Sequence, residues 1–207
     1  MILYDYFRSS AAYRVRIALN LKGLPYDRRD VMLLENQQRS PEHLARNPQG
    51  FVPALEVEGG TVLTQSLAII DWLDARHPAP RLISADPDAR AAALARALVI
   101  AADTHPLNNL RVMRRLKAMG VDEAGRNDWT RHWIVEGFAA LEAMAGDGPF
   151  LGGDAPGVAD VFLVPQMYNA RRFDTPLDAF PRLVAIDAAC TALPAFAAAH
   201  PDAVAPK

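Results

Sequence analysis

The sequence runs to 207 residues, 51% of them hydrophobic and 22% charged, with 12 glycines and 16 prolines. That composition excludes disordered, collagen-like and disulfide-scaffold chains, and the length can bury a core for one large domain or two small ones. Twenty-two Lys and Arg against 24 Asp and Glu give a net charge of −2, which argues against a nucleic-acid binder.

Lys22, Lys117 and Lys207 are the only lysines, so the cations are mostly Arg. Arg grips planar anions with two prongs, which is compatible with a carboxylate site; a compositional bias of the genome gives the same excess. The single cysteine, Cys190, cannot form an internal disulfide and reads as a small buried residue, so a reducing compartment, the cytoplasm, is expected. The first residues lack a cationic stretch ahead of an apolar run, and nowhere do about 18 apolar residues follow one another, so neither a signal peptide nor a membrane span is expected.

In chain order, Ile2-Leu3-Tyr4 reads as a strand and Arg8-Ser9-Ser10 as the turn into a helix. In that helix Ala11, Ala12, Val15, Ala18 and Leu19 share a face, Arg16 and Asn20 lie opposite, and Gly23 then Pro25 stop it near Lys22. Tyr26 to Leu34 reads as a second strand, and Glu35 to Asn47 as a short helix or irregular loop. Residues 51–57 and 61–63 read as strands joined by the Glu58-Gly59-Gly60 turn, and Ser66, Ile69, Ile70 and Leu73 mark a helix to about Arg76. A Pro-rich aperiodic stretch places a boundary at residues 80–86. Beyond it everything reads as helical: Asp86 to about Thr104, Leu107 to Met119, Asp122 to Ala145, Gly157 to Phe173, and about Leu177 to Leu193. The expected architecture is an α/β unit over 1–80 followed by an all-α unit over 87–207.

The absence of GxxxxGK[ST], of GxGxxG after a strand and of GxSxG removes the common phosphate, dinucleotide and serine-hydrolase sites. The histidines at 43, 77, 105, 132 and 200 form no HExxH and no cysteine pairing, so no metal is expected. What remains is anion chemistry. Ser9 and Ser10 sit where helix amides and hydroxyls converge, which suits an anion; equally, one of them caps the helix. Gln65-Ser66 opens a second helix with a partial positive charge suited to a carboxylate; at Val52-Pro53 a cis X-Pro bond would turn backbone groups toward a ligand, but only about 5% of X-Pro bonds are cis and spacing alone does not support one here.

These elements resemble the thioredoxin-like half of glutathione transferases. More narrowly, Tyr6-Phe7-Arg8-Ser9-Ser10, Tyr13-Arg14-Val15-Arg16-Ile17-Ala18-Leu19, Asn47-Pro48-Gln49-Gly50-Phe51-Val52-Pro53-Ala54-Leu55 and Gln65-Ser66-Leu67-Ala68-Ile69-Ile70 resemble the signature of the zeta class, the maleylacetoacetate isomerases. His105-Pro106-Leu107-Asn108-Asn109-Leu110, Val164-Pro165-Gln166 and Arg171-Arg172-Phe173 extend the resemblance over nearly the whole chain. It implies a glutathione transferase fold, a thioredoxin-like domain and an all-α domain, and a homodimer.

The resemblance also implies roles. Ser9, with Ser10 as second choice, would hydrogen-bond the glutathione sulfur and favour its thiolate. Gln65 and Ser66 would hold the γ-glutamyl end, Val52 the cysteinyl part and Gln38 the glycine end. His105, Asn109 and Leu110 match further ligand-contacting positions, and Arg8, Arg172 and Arg111 would hold the carboxylates of a small dicarboxylate substrate. The implied reaction is cis-to-trans isomerisation of maleylacetoacetate in aromatic amino acid catabolism: thiolate addition, rotation about the resulting single bond, and elimination that returns glutathione. Arg8 and Arg172 would stabilise the enolate that addition creates. Maleylpyruvate isomerase, a general transferase of electrophiles, and a non-catalytic glutathione-fold module are the alternatives. Two departures stand out: Ala11 replaces the Cys that animal and plant members carry after the paired serines, and Gly157 replaces the Ser or Thr that usually opens a helix-capping box with Asp160.

Overall fold

The computed structural model describes residues 1–206. They form two compact units, one made of Met1–Leu82 with Ala192 onward, the other of Ile83–Thr191. The expectation of a helical unit over 87–207 is therefore corrected at its end: the last residues belong with the α/β unit.

In the first unit, strand β1 (Ile2–Asp5) leads through helix α1 (Ser10–Leu21) to strand β2 (Asp27–Asp30), which pairs parallel to β1 with Ile2 opposite Asp27. Strands β3 (Ala54–Glu56) and β4 (Val62–Thr64) complete a sheet of order β2-β1-β3-β4, β3 antiparallel to both neighbours. β2, composed of Asp-Arg-Arg-Asp, is tolerated because it is an edge. The expected strand over Tyr26–Leu34 shrinks to these four residues; Leu33–Glu35 and Gln37–Arg39 wind into 3₁₀ turns joined at Asn36, whose φ is 60°. The strand expected over 51–57 is shorter too, since Pro53 has no N–H for a ladder. The Val52–Pro53 bond is cis, as is Ala79–Pro80.

Helix α2 (Pro41–Arg46) precedes β3, and helix α3 (Ser66–Arg76) follows β4. Buried Lys22 gathers the end of α3: its Nζ donates to Asp74 Oδ1 at 2.8 Å and to the carbonyls of His77 and Pro80 at 2.7 and 2.8 Å. The C-terminal helix α9 (Pro194–Ala199) packs on α1. This explains a second correction. Arg16, expected on the polar face of α1, is 0% exposed. Its Nη1 donates to both oxygens of Asp5 at 2.8 Å, its Nη2 to the Phe7 carbonyl at 3.0 Å and its Nε to the Ala199 carbonyl at 2.9 Å. A helix covered on both sides can carry a guanidinium in its core only when each donor finds an acceptor.

The second unit opens with helix α4 (Pro87–Leu98), capped by Asp86, whose carboxylate accepts from the Ala89 N–H at 2.9 Å. The helix widens to π geometry over Val99–Thr104, closed by the His105 N–H to Ile100 carbonyl bond at 2.8 Å. Helices α5 (Leu110–Ala118), α6 (Glu123–Met144), α7 (Val158–Arg172) and α8 (Pro181–Thr191) follow. Ile134, Phe138, Phe162, Met167 and Leu183 are among its core side chains. Gly137 is required where α6 meets the π segment, because a Cβ there would come within 2.2 Å of Thr104 Oγ1. Gly157 still opens α7: its N–H donates to Asp160 Oδ2 at 2.9 Å, and the Leu151 N–H donates to Oδ1 at 2.7 Å. The buried Cys190 thiol donates to the same Oδ1 at 3.7 Å, and burial raises the pKa of both groups. Among the described residues, no helix is long and apolar enough to cross a membrane.

Candidate active site

Ser9 is the N-cap of α1. Its Oγ accepts from the Ala12 N–H at 3.2 Å and its carbonyl from the Tyr13 N–H at 2.8 Å. The hydroxyl, already used as an acceptor, keeps its proton to donate. The cap and a free donor thus coexist in one group. Ser10 is buried in the first helical turn, while Arg8 is exposed with its guanidinium 5.0 Å from the Phe7 ring centroid. The Arg16 bond to the Phe7 carbonyl anchors this loop from beneath.

Val52 lies beyond the ladder, whose register begins at Ala54 opposite Tyr4 and Thr64. It is buried in a cluster with Tyr4, Tyr6, Val31 and Ala54, against which Phe7, the residue before the Arg8-Ser9 turn, packs. Two side chains that sequence reasoning missed fix the residue before it: His43 Nε2 and Asn47 Nδ2 both donate to the Phe51 carbonyl at 2.9 Å. Facing a carbonyl, Nε2 carries the imidazole proton. The only sequence signal for this pair was a His and an Asn flanking a loop, which spacing does not distinguish from surface polarity.

Gln65 is the N-cap of α3 with φ 67° and ψ 115°, a strained backbone for a non-glycine residue. Its Nε2 donates to Gln49 Oε1 at 2.7 Å. One residue on, buried Ser66 begins the helix and accepts from Arg14 Nη1 at 3.3 Å, which joins the first turn of α3 to α1. Gly50 has φ 64°, and a Cβ on it would stand 2.9 Å from the Gln38 carbonyl, so only glycine lets the 47–50 turn approach that backbone. Gln38 is itself buried, its Oε1 without a hydrogen-bond partner. A chain of contacts therefore runs from Gln38 through Gly50, Gln49 and Gln65 to Ser66 and Arg14, and the first unit brings Ser9, Ser10, Gln38, Val52, Gln65 and Ser66 onto one connected framework. It presents hydroxyl and amide donors, helix N-termini and a buried amide acceptor, a set that fits an elongated polar molecule with carboxylates and amides.

In the second unit, Asn109 caps α5 by accepting from the Arg111 N–H at 3.1 Å, Leu110 is the first helical residue, and His105 closes the π segment. Arg111 is exposed. At the end of α7, Arg171 is committed to Asp187, Nη2 to Oδ2 at 2.7 Å. Its neighbour Arg172 is exposed, with its guanidinium 5.7 and 5.6 Å from the Tyr168 and Phe173 ring centroids and a long 3.4 Å bond to Asn169 Oδ1. Arg172 is thus the more easily recruited of the two.

The fold and this framework match known proteins. Residues 8–76 match the family model of the glutathione S-transferase N-terminal domain, and residues 124–199 that of the C-terminal domain. The chain belongs to the glutathione S-transferase family. It is 50% identical over 209 residues, 99% of this chain and 98% of the relative, to a maleylacetoacetate isomerase of Rhizobium meliloti. Among solved structures, a holo maleylpyruvate isomerase described as a bacterial zeta-class glutathione transferase superposes with a TM-score of 0.96 at 44% identity, covering 99% of each chain. A maleylacetoacetate isomerase of Anaeromyxobacter dehalogenans with glutathione bound gives a TM-score of 0.89 at 46% identity over 99% of this chain and 96% of the other. Within the family, the zeta class is the one to which these likenesses assign it.

Proposed function

We propose that the chain is a glutathione-dependent cis–trans isomerase that converts maleylacetoacetate to fumarylacetoacetate. The observation that carries the reading is the state of Ser9: its Oγ is fixed as an acceptor by the Ala12 N–H, which leaves its proton to donate at the positive end of α1. Glutathione, when bound, supplies the thiolate that adds reversibly to the cis double bond. Ser9, with Ser10 beside it, donates to that sulfur and holds it as thiolate. Ser66 and Gln65 hold the γ-glutamyl end, the Val52 backbone the cysteinyl part, and the Gln38 side chain, whose Oε1 is unpartnered, the glycine end. His105, Asn109 and Leu110 supply further ligand contacts from the helical unit. Arg8, Arg172 and Arg111 neutralise the substrate's two carboxylates, and Arg8 and Arg172 the negative charge that develops on its keto oxygen.

Maleylpyruvate is the second reading, favoured by the 0.96 TM-score to an isomerase of that name; it shares the chemistry and differs in the length of the keto-acid tail. The chain acts in the cytoplasm as a homodimer, which light scattering after gel filtration checks. An absorbance assay of both cis diacids, with and without glutathione, tests the function: maleylacetoacetate should turn over only when glutathione is present. Turnover of neither, or equal turnover without glutathione, overturns it. In the same assay Ser9→Ala should cut turnover far more than glutathione affinity; equal losses would reduce the hydroxyl to a positioning contact.

A further inference from the structure

Arg14 lies in α1 and is 2% exposed. Its Nη1 bond to Ser66 Oγ reaches across 52 residues to the first turn of α3. A guanidinium has donors and no acceptor, so the Ser66 hydroxyl must accept from it, and that hydroxyl's single proton points elsewhere. Only an acceptor can complete it. The adjoining amides at the start of α3 also present donors, which favours a negative charge there. Burial pushes the Arg14 pKa down to about 9, which still leaves the side chain protonated at neutral pH. A full positive charge thus sits in the protein interior, one hydroxyl away from the helix end. An anion arriving at Ser66 would meet that charge through the hydroxyl.

The geometry points to Arg14 as a positioning residue that fixes Ser66 as a donor and places a buried charge behind it, so that the site selects a ligand carboxylate. This rests on the reading of Gln65 and Ser66 as the grip on the γ-glutamyl end of glutathione. Arg14 does not touch the ligand in this scheme; it acts through Ser66. The contribution should therefore appear in recognition of one carboxylate and not in the reactivity of the sulfur, which Ser9 governs at the start of α1.

The test is calorimetric binding of glutathione and of its analogue lacking the γ-glutamyl α-carboxylate, 4-aminobutyryl-cysteinylglycine, to the full chain and to Arg14→Met, Arg14→Gln and Arg14→Lys. The native chain should prefer glutathione strongly. Arg14→Met should weaken glutathione about 10–100-fold and leave the analogue within about twofold, with kcat at saturating glutathione changed less than about threefold. Arg14→Lys, which keeps charge and donor, should restore most of the preference, and Arg14→Gln, which keeps only a donor, should restore less. Should Arg14→Met fail to give a cooperative melt, the Lys and Gln variants carry the comparison. Equal weakening of both ligands, or a preference preserved without the charge, overturns the role of Arg14. If the native chain itself binds the two ligands alike, the γ-glutamyl reading of α3 fails instead.

Discussion

Replacing Arg16 by Met keeps the length and apolar stem of the side chain and removes its charge and four hydrogen bonds. Asp5, also 0% exposed, then retains only Arg28, whose Nε donates to its Oδ2 at 3.0 Å. Removing one partner of a buried ion pair costs about 3–5 kcal/mol, and the remaining bond to Arg28 puts Asp5 at the lower end of that range. The carbonyls of Phe7 and Ala199 lose their donor as well, at about 1 kcal/mol each. The sum, about 5 kcal/mol, is a large share of the 5–15 kcal/mol typical of a folded domain. Urea titration followed by circular dichroism reads it: with a slope of about 3 kcal/mol/M, the midpoint should fall by about 1.5–2 M. Asp5→Asn combined with Arg16→Met should recover part of the loss, with a coupling energy of at least about 2 kcal/mol in the double-mutant cycle. A midpoint shift under about 0.3 M, or additivity within about 0.5 kcal/mol, would refute the claim that this pair secures the first unit.

The Cys190 thiol, buried and with its pKa raised, should resist a thiol reagent at pH 8 until the protein is denatured; rapid labelling of the native chain would contradict its placement. Gln65→Gly relieves a positive-φ residue and should stabilise the fold by about 1 kcal/mol in thermal melts while weakening glutathione binding; unchanged stability would mean the backbone is unstrained there. Gly157→Ser restores a side-chain acceptor at the α7 cap and should raise Tm by about 1–2 °C, whereas a lower Tm would show the cap is closed to a side chain. Because burial raises the Asp160 pKa, the folded chain holds that proton to higher pH than the unfolded chain, so its stabilisation is present at low pH and is lost as pH rises through the folded value. The stability of the native chain relative to Asp160→Asn should accordingly be greater at pH 4 than at pH 7, and a flat difference would contradict the shift.

Local chemistry made the serines and the helix starts readable. Ser9 before an apolar period, Asp86-Pro87 and Asp122 are caps whose signal lies within four residues, and each opens a helix where its spacing predicts. What failed depended on distant partners. Arg16 looks like a solvated residue on any helical projection, and nothing near it announces that Ala199, 183 residues away, supplies an acceptor. Helix α9 was invisible for the same reason: Pro194 to Ala199 is too short to show a period, and it is held by burial of Phe196 and Ala199 and by packing on α1. In the candidate site, Ser9, Gln65 and Ser66 could be picked out as helix-start polar residues, whereas His43 and Asn47 act on a backbone carbonyl and leave no periodic trace.

The stitching of the chain's tail to its beginning has a bearing on biosynthesis. The carbonyls of Ala195, Ala199 and Val204 satisfy Asn20, Arg16 and Arg28 in turn. Topologically the helical unit is an insertion, and the body that hosts it cannot finish its core until the ribosome has made the residues through Val204. A nascent chain stalled after Leu82 would leave the buried Arg16 without the Ala199 carbonyl and the half-buried Arg28 without that of Val204, one acceptor short each. Such a fragment should remain a chaperone client and a protease substrate, and cutting the gene at the apparent domain border should yield no independently folding half.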